Sequence, residues 1–156
     1  MAKPTENYEI DNLDRSILKA LIAHARTPYA ELAKQLDVSP ATIHVRVEKL
    51  KKAGVIKGMH LELDAQKLGF DVCCFIGIIL KRAGDYPIAI AKLERLEEVI
   101  EAYYTTGQYS ILIKIMTPSI HDLQHVLINR IQAIDEVQST ETLISLQQPI
   151  QRSVTP

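Results

Sequence analysis

"SPATIHVRVEKL", residues 39–50, reads as a helix with a well-defined start. Ser39 carries the short hydroxyl side chain that caps a first turn, and Pro40 suits the first helical position, where no N–H is needed. Ile43, Val47 and Leu50 then recur on one face at about 100° per residue. Gly54, just past "KLKKA", is the residue type that ends a helix in the left-handed conformation. The opposite face is oddly mixed. Ala41, Val45, Glu48, Lys49 and Lys52 point away from the apolar stripe, and Thr42 and His44 flank it. A lone surface valine or a solvated histidine is ordinary. Short side chains near a helix N-terminus, however, let the backbone approach a DNA groove. Ala41, Thr42 and Val45 can then touch thymine methyls, and Thr42 or His44 can reach a base edge or phosphate.

Working outward, the preceding residues repeat the same devices. "DNLD" predicts a first helix, capped by Asp11 or Asn12, with Leu13, Ile17, Leu18 and Leu21 as its stripe. A second helix is expected with Thr27 as N-cap and Pro28 at its first position, burying Leu32, Ala33 and Leu36. Only Asp37, Val38 and Ser39 then separate helices two and three, the spacing of a helix-turn-helix. A plain αα-hairpin shares that spacing. After Gly54, "VIKGMHLELD" alternates apolar and polar residues and reads as a small β-wing. Together these predict a winged helix-turn-helix domain over residues 9–64, with the helix-turn-helix at about 28–47. Arg46 lies beside the stripe, so its long arm is expected on a phosphate, not a base edge. The DNA-contacting set expected here is Ser39, Ala41, Thr42, His44, Val45, Arg46 and Lys49.

Charge supports a division of labour. The 156-residue chain has net charge −1, yet Ser39–His60 carries five cations and one acid. From Ala65 onward there are eight basic and ten acidic residues. Such asymmetry fits a part that binds nucleic acid joined to a part with another task. With 47% apolar and 24% charged residues, a disordered chain is excluded. No apolar run approaches the roughly 20 residues that span a bilayer, so no membrane partner is expected. Residues 1–14 show no apolar leader. Cys73 and Cys74 are adjacent in a strand-like run and point to opposite faces, as reduced thiols of a core or an interface. A cytoplasmic protein is expected.

Beyond a linker at 65–70 the pattern changes. "DVCCFIGIILK" predicts a strand, "DYPIAIAKLERLEE" a helix burying Ile90, Leu93 and Leu96, and "VIEAYYTT" and "YSILIKIM" two strands joined through "GQ". "SIHDLQHVLINRIQ" predicts a helix capped by Ser119 and Asp122, with Ile120, Leu123, Leu127 and Ile131 on one face, and "VQSTETLISL" a last strand. The order βαββαβ over 71–150 is the ferredoxin-like arrangement, so the whole chain is expected to be α+β. Both alternation sets of "CCFIGIIL" and "ILIKIM" are apolar, which predicts that the face without helices is covered by a second copy. His121 and His125 have the i, i+4 spacing of a metal pair, but no third ligand is near in sequence; no metal site is expected. No acid–base pair, nucleophile motif or phosphate loop suggests an enzyme. Thr105, Thr106, Gln108 and Ser110 gather neutral hydroxyl and amide groups around Gly107, a turn able to hold a small zwitterion.

"LDRSILKALIAHARTPYAELAKQLDVSPATIHVRVEKLKKAGVIKG" and "YYTTGQYSILIKI" resemble the Lrp/AsnC family of transcription regulators. The resemblance runs over nearly all of the chain after about residue 9. "SPATIHVRVEKL" and "LINRIQAIDEVQSTETLI" are most similar to asparagine-responsive members. It implies a DNA-binding N-terminal domain that contacts double-stranded DNA and a C-terminal effector and assembly domain. It further implies homodimers associating into tetramers or octamers, with an amino-acid effector, L-asparagine, held between dimers. The targets implied are asparagine-synthesis genes and the regulator's own promoter. A broadly DNA-wrapping architectural protein of the same family is the alternative. By the same resemblance Tyr104, Thr105, Thr106, Gly107, Gln108, Tyr109 and Ser110 line the effector site, and Gln132 and Thr140 or Thr142 are contributed by a neighbouring subunit. Many family members carry an acid in a G-x-x-D pattern where this chain has Ser110, which accords with a ligand bearing an amide.

Overall fold

Asp11 opens helix α1 (Asn12–Ala23) with a reciprocal cap: its carboxylate accepts the Asp14 N–H at 2.9 Å, and that of Asp14 accepts the Asp11 N–H at 3.2 Å. Two orphan donors are thus satisfied at the helix start. The structure, a computed structural model, describes residues 8–156; the reading of a missing leader falls in part on residues 1–7, outside the described residues. Two units form, one of residues up to Glu62 together with Ile150–Pro156, the other of Leu63–Pro149.

In the first unit α1 is followed by α2 (Tyr29–Gln35) and α3 (Pro40–Lys52). Ile17, Leu21, Leu32, Ala33, Ile43 and Val47 form its core, so each helix turns its expected stripe inward. Ser39 caps α3 as expected, accepting the Thr42 N–H at 3.1 Å, and Gly54 follows the helix at φ +72°. Three details differ from expectation. Thr27 is not the cap of α2: its hydroxyl donates to the His24 carbonyl, while Pro28 takes the cap position and its carbonyl accepts from Glu31 and Leu32. The turn between α2 and α3 also takes in Leu36, and Asp37 adopts φ +52°. Finally, the Val55 and Ile56 N–H groups both donate to the Leu50 carbonyl and residues 57–64 join no strand, so no β-wing forms among the described residues. An alternating segment becomes a strand only when another backbone accepts and donates its hydrogen bonds.

The second unit runs β1 (Val72–Leu80), α4 (Tyr86–Leu93), β2 (Val99–Tyr104), β3 (Ile111–Thr117), α5 (Ile120–Val126) and β4 (Val137–Ile144). The sheet is antiparallel in the order β2-β3-β1-β4, the ferredoxin-like topology. Cys74, Ile76, Ile78 and Leu80 of β1 and Ile111, Ile113 and Ile115 of β3 face α4 and α5, packing on Ala89, Leu93, Leu123 and Val126. α4 stops at Leu93, short of the expected end, because residues 94–98 fold as turns into β2. Ile120 is 56% exposed, contrary to expectation, and Val126 is buried. The helix widens into a π turn over Leu127–Ile131, and the extra residue rotates fully buried Ile131 onto the face of Val126. On the open side of the sheet, Cys73, Phe75, Ile79, Leu112 and Met116 remain only half-buried.

Candidate nucleic-acid interface and ligand turn

The outward face of α3 follows from the burial of the inward one. Ile43, Val47 and Leu50 are fully buried, which leaves Ser39, Ala41, His44, Val45 and Lys49 exposed and Thr42 half-exposed. Val45 is 50% exposed. The Ser39 and Thr42 hydroxyls lie 2.8 Å apart, so one O–H satisfies the pair and the other stays available to a ligand. The His44 ring meets the edge of Tyr29 from α2 at a centroid distance of 6.0 Å and 77°, which steadies it against the preceding helix. Lys51 is tied to Glu48 at 2.9 Å. Among the described residues Lys49, Lys52 and Lys57 make no ion pair, so the cations of this stretch are directed to solvent. Small side chains thus lie at the helix start and lysines toward its end.

Arg46 is engaged within the fold. Its Nη1 lies 2.5 Å from the Asp11 carboxylate and 3.3 Å from that of Asp14, and the Tyr8 hydroxyl donates to Asp14 at 2.9 Å. Asp14 is fully buried. Donating to the Asp11 carboxylate makes the guanidinium still more basic, and Asp11 in turn falls below its usual range, held first by the Asp14 N–H and then by Arg46. A long cation beside the apolar stripe here reaches two carboxylates at the start of α1, one exposed and one buried. Arg46 is therefore a tie between α3 and the start of α1. Sequence reasoning missed this cluster because the partners lie more than 30 residues away; the signal was the doubled use of Asp11 and Asp14 as caps.

In the second unit the turn between β2 and β3 carries the neutral groups. The Thr105 N–H donates to the Ser110 carbonyl at 3.1 Å, the Thr105 hydroxyl donates to the Tyr109 carbonyl at 2.8 Å, and the Ser110 N–H donates to the Ile78 carbonyl at 2.8 Å. Gly107 at the tip has φ +108°, a conformation that side chains disfavour. Thr106, Gly107 and Gln108 are exposed. The Ser110 hydroxyl accepts from the Leu80 N–H at 3.4 Å. Tyr104 stacks on Tyr86 at the start of α4, with centroids 4.1 Å apart. Gln132 donates to the Thr140 hydroxyl at 2.9 Å. Thr140 pairs with Ile78 in the register, so β1 stands between that pair and the turn, two strand spacings or about 10 Å away. One chain therefore does not bring Gln132 and Thr140 to the turn.

Tyr109 leaves the turn in the other direction. Its ring lies over Gly77 on the open side of the sheet, and its hydroxyl donates to Glu141 of β4. That hydrogen bond raises the Tyr109 pKa above the usual phenol value. The glycine inside "FIGII" was the available signal of a close approach. Burial pushes the Cys74 thiol up to about 11, so it packs as a neutral core group. His121 and His125 are both exposed on α5. A groove of about 600 Å³ in the first unit, lined by Leu18, Ile22, Val55, Met59 and His60, involves none of the expected site residues.

Comparison with known proteins places both sites in context. Residues 10–57 match the winged helix-turn-helix DNA-binding family, and residues 73–155 match the Lrp/AsnC ligand binding domain. The chain is 68% identical over 151 residues to the regulatory protein AsnC of Escherichia coli strain K12, covering 97% of this chain and 99% of that protein. The solved structure of E. coli AsnC superimposes with a TM-score of 0.92, covering 96% of this chain and all (100%) of that one. A feast or famine regulatory protein from M. tuberculosis, complexed with L-methionine, superimposes with a TM-score of 0.87 at 27% identity, covering 95% and 100% of the two chains.

Proposed function

Because the chain belongs to the Lrp/AsnC family and is a DNA-binding transcriptional regulator, not an enzyme, we propose that it senses L-asparagine. Its helix-turn-helix binds DNA and its second domain takes an amino-acid effector. The observation carrying the finer reading is the turn at 105–110, which offers hydroxyl, amide and backbone groups and no carboxylate. A zwitterion whose side chain ends in a neutral amide finds donors and acceptors there without an unpaired charge. The name of the E. coli relative points the same way. Ser39, Ala41, Thr42, His44 and Val45 meet base edges and Lys49 a phosphate.

The half-exposed open face of the sheet is covered by a second copy, which presents two recognition helices to successive half-sites. Further association of dimers brings Gln132 and Thr140 of a neighbouring subunit to the turn. The protein acts in the cytoplasm on asparagine-synthesis genes and its own promoter. Fluorescence anisotropy on the upstream region of an asparagine-synthesis gene, with and without L-asparagine, tests this reading. A shift in affinity or in sedimenting mass is the expected result. If neither changes, asparagine is not the effector; long protected tracts with a steep salt slope would favour the architectural reading instead.

A further inference from the structure

We propose that Tyr109 is a positioning residue that locks the effector turn by reaching across the open face of the sheet, through contact with Gly77 and Glu141. The inference rests on the assignment of residues 105–110 as the effector turn. Three observations carry it. Gly77 lies in the middle of the central strand β1, between Leu112 of β3 and Glu141 of β4 in the register. A Cβ built on Gly77 would stand 2.6 Å from the Tyr109 ring, closer than carbon atoms can approach, so the ring occupies this place only because position 77 is glycine. The hydroxyl then reaches Glu141, anchoring a β3-side residue to the far edge strand.

The consequence is mechanical. The Tyr109 carbonyl accepts the Thr105 hydroxyl, so the residue whose ring lies on the sheet also closes the turn. Gly107, with its positive φ, adds backbone freedom at the tip, and the clamp restrains it. Ordering the turn before the ligand arrives lowers the entropy that binding must overcome. The same ring forms part of the surface that a second copy would cover. A ligand at the turn and a partner on the sheet therefore act on one side chain, and each biases the placement of the other.

The experiment uses the full-length chain with Gly77→Ala, which displaces the ring, Glu141→Ala, which removes the acceptor, and Glu141→Gln, which keeps an acceptor oxygen. Hydrogen–deuterium exchange over residues 104–110 is expected to be about tenfold faster in the two alanine variants, and within about twofold of the unchanged chain for Glu141→Gln. Exchange over α1 to α3 serves as the folding control and stays constant. Calorimetric titration with L-asparagine should then weaken about tenfold in the alanine variants and recover with Glu141→Gln. Unaltered exchange in Glu141→Ala overturns the clamp. Faster exchange with unaltered asparagine affinity overturns its positioning role. If the unchanged chain itself does not bind asparagine, the effector reading fails, and exchange over the turn still decides whether the clamp exists.

Discussion

Arg46 and Lys49 stand one turn apart on α3, yet one is tied into an ion-pair cluster and the other is exposed. The side chain of Arg46 is 30% exposed and neutralises Asp14, whose side chain is fully buried. Removing one partner of such a pair strands the other charge in the interior, so Arg46→Ala is expected to destabilise the first unit by about 3 kcal/mol in urea unfolding. The same cluster sets an acid limit. The carboxyl of Asp11 is held below its ordinary value of 3.8, first by the Asp14 N–H and then by Arg46. Its folded value is the lower one, so its contribution is complete above the ordinary value and disappears as the pH falls through the folded one. Thermal melts of Asp11→Asn, which still caps, should show a weaker decline on acidification than the unchanged chain. Lys49 is exposed, and Lys49→Ala is expected to reduce the slope of log affinity against log salt by about 0.9, equally on operator and random DNA. The position of Lys49 was legible in the helical period. The task of Arg46 was not, because period gives a face and not the carboxylate that waits there.

At the scale of elements, local chemistry decided more than hydrophobicity. Ser39–Pro40 set the start of α3 where the sequence placed it, since cap and first turn need no distant partner. Ser39→Ala should lower the stability of the first unit by about 1 kcal/mol and, by fraying the N-terminal turn, weaken binding to an operator. Thr27–Pro28 carries the same residue types, yet Thr27 closes the preceding turn on His24 and leaves the cap position to Pro28. A hydroxyl residue before proline thus gives two outcomes: Ser39 accepts from the first turn of its own helix, and Thr27 donates back to the turn before it. The segment "VIKGMHLELD" shows the complementary limit. Its alternation was legible, but strand formation depends on a partner backbone that alternation cannot supply. The π turn at Leu127–Ile131 is a third case, where the helix leaves the simple period and Ile131 is buried five residues after Val126.

At the scale of the whole molecule, the central question is what the open face of the sheet is for. Phe75, Leu112 and Met116 are half-buried on the same face as the Tyr109 ring, and the face is apolar enough to associate. Phe75→Asp places a charge at its centre, and sedimentation equilibrium is expected to show loss of the proposed dimer together with weaker binding to a two-half-site operator. An unchanged mass would remove the proposal that a second copy covers this face. By itself the sequence determined the order of elements, the helix-turn-helix, the βαββαβ topology and the neutral character of the turn. Each of these is written in short-range signals such as caps, periods and glycines, which act within a few residues. Only the tertiary structure decided that Arg46 ties α3 to α1, that Gln132 and Thr140 lie across β1 from the turn, and that Tyr109 crosses Gly77 to Glu141. Those contacts join positions some 30 residues apart, and side chains meet at such separations only after the backbone has closed.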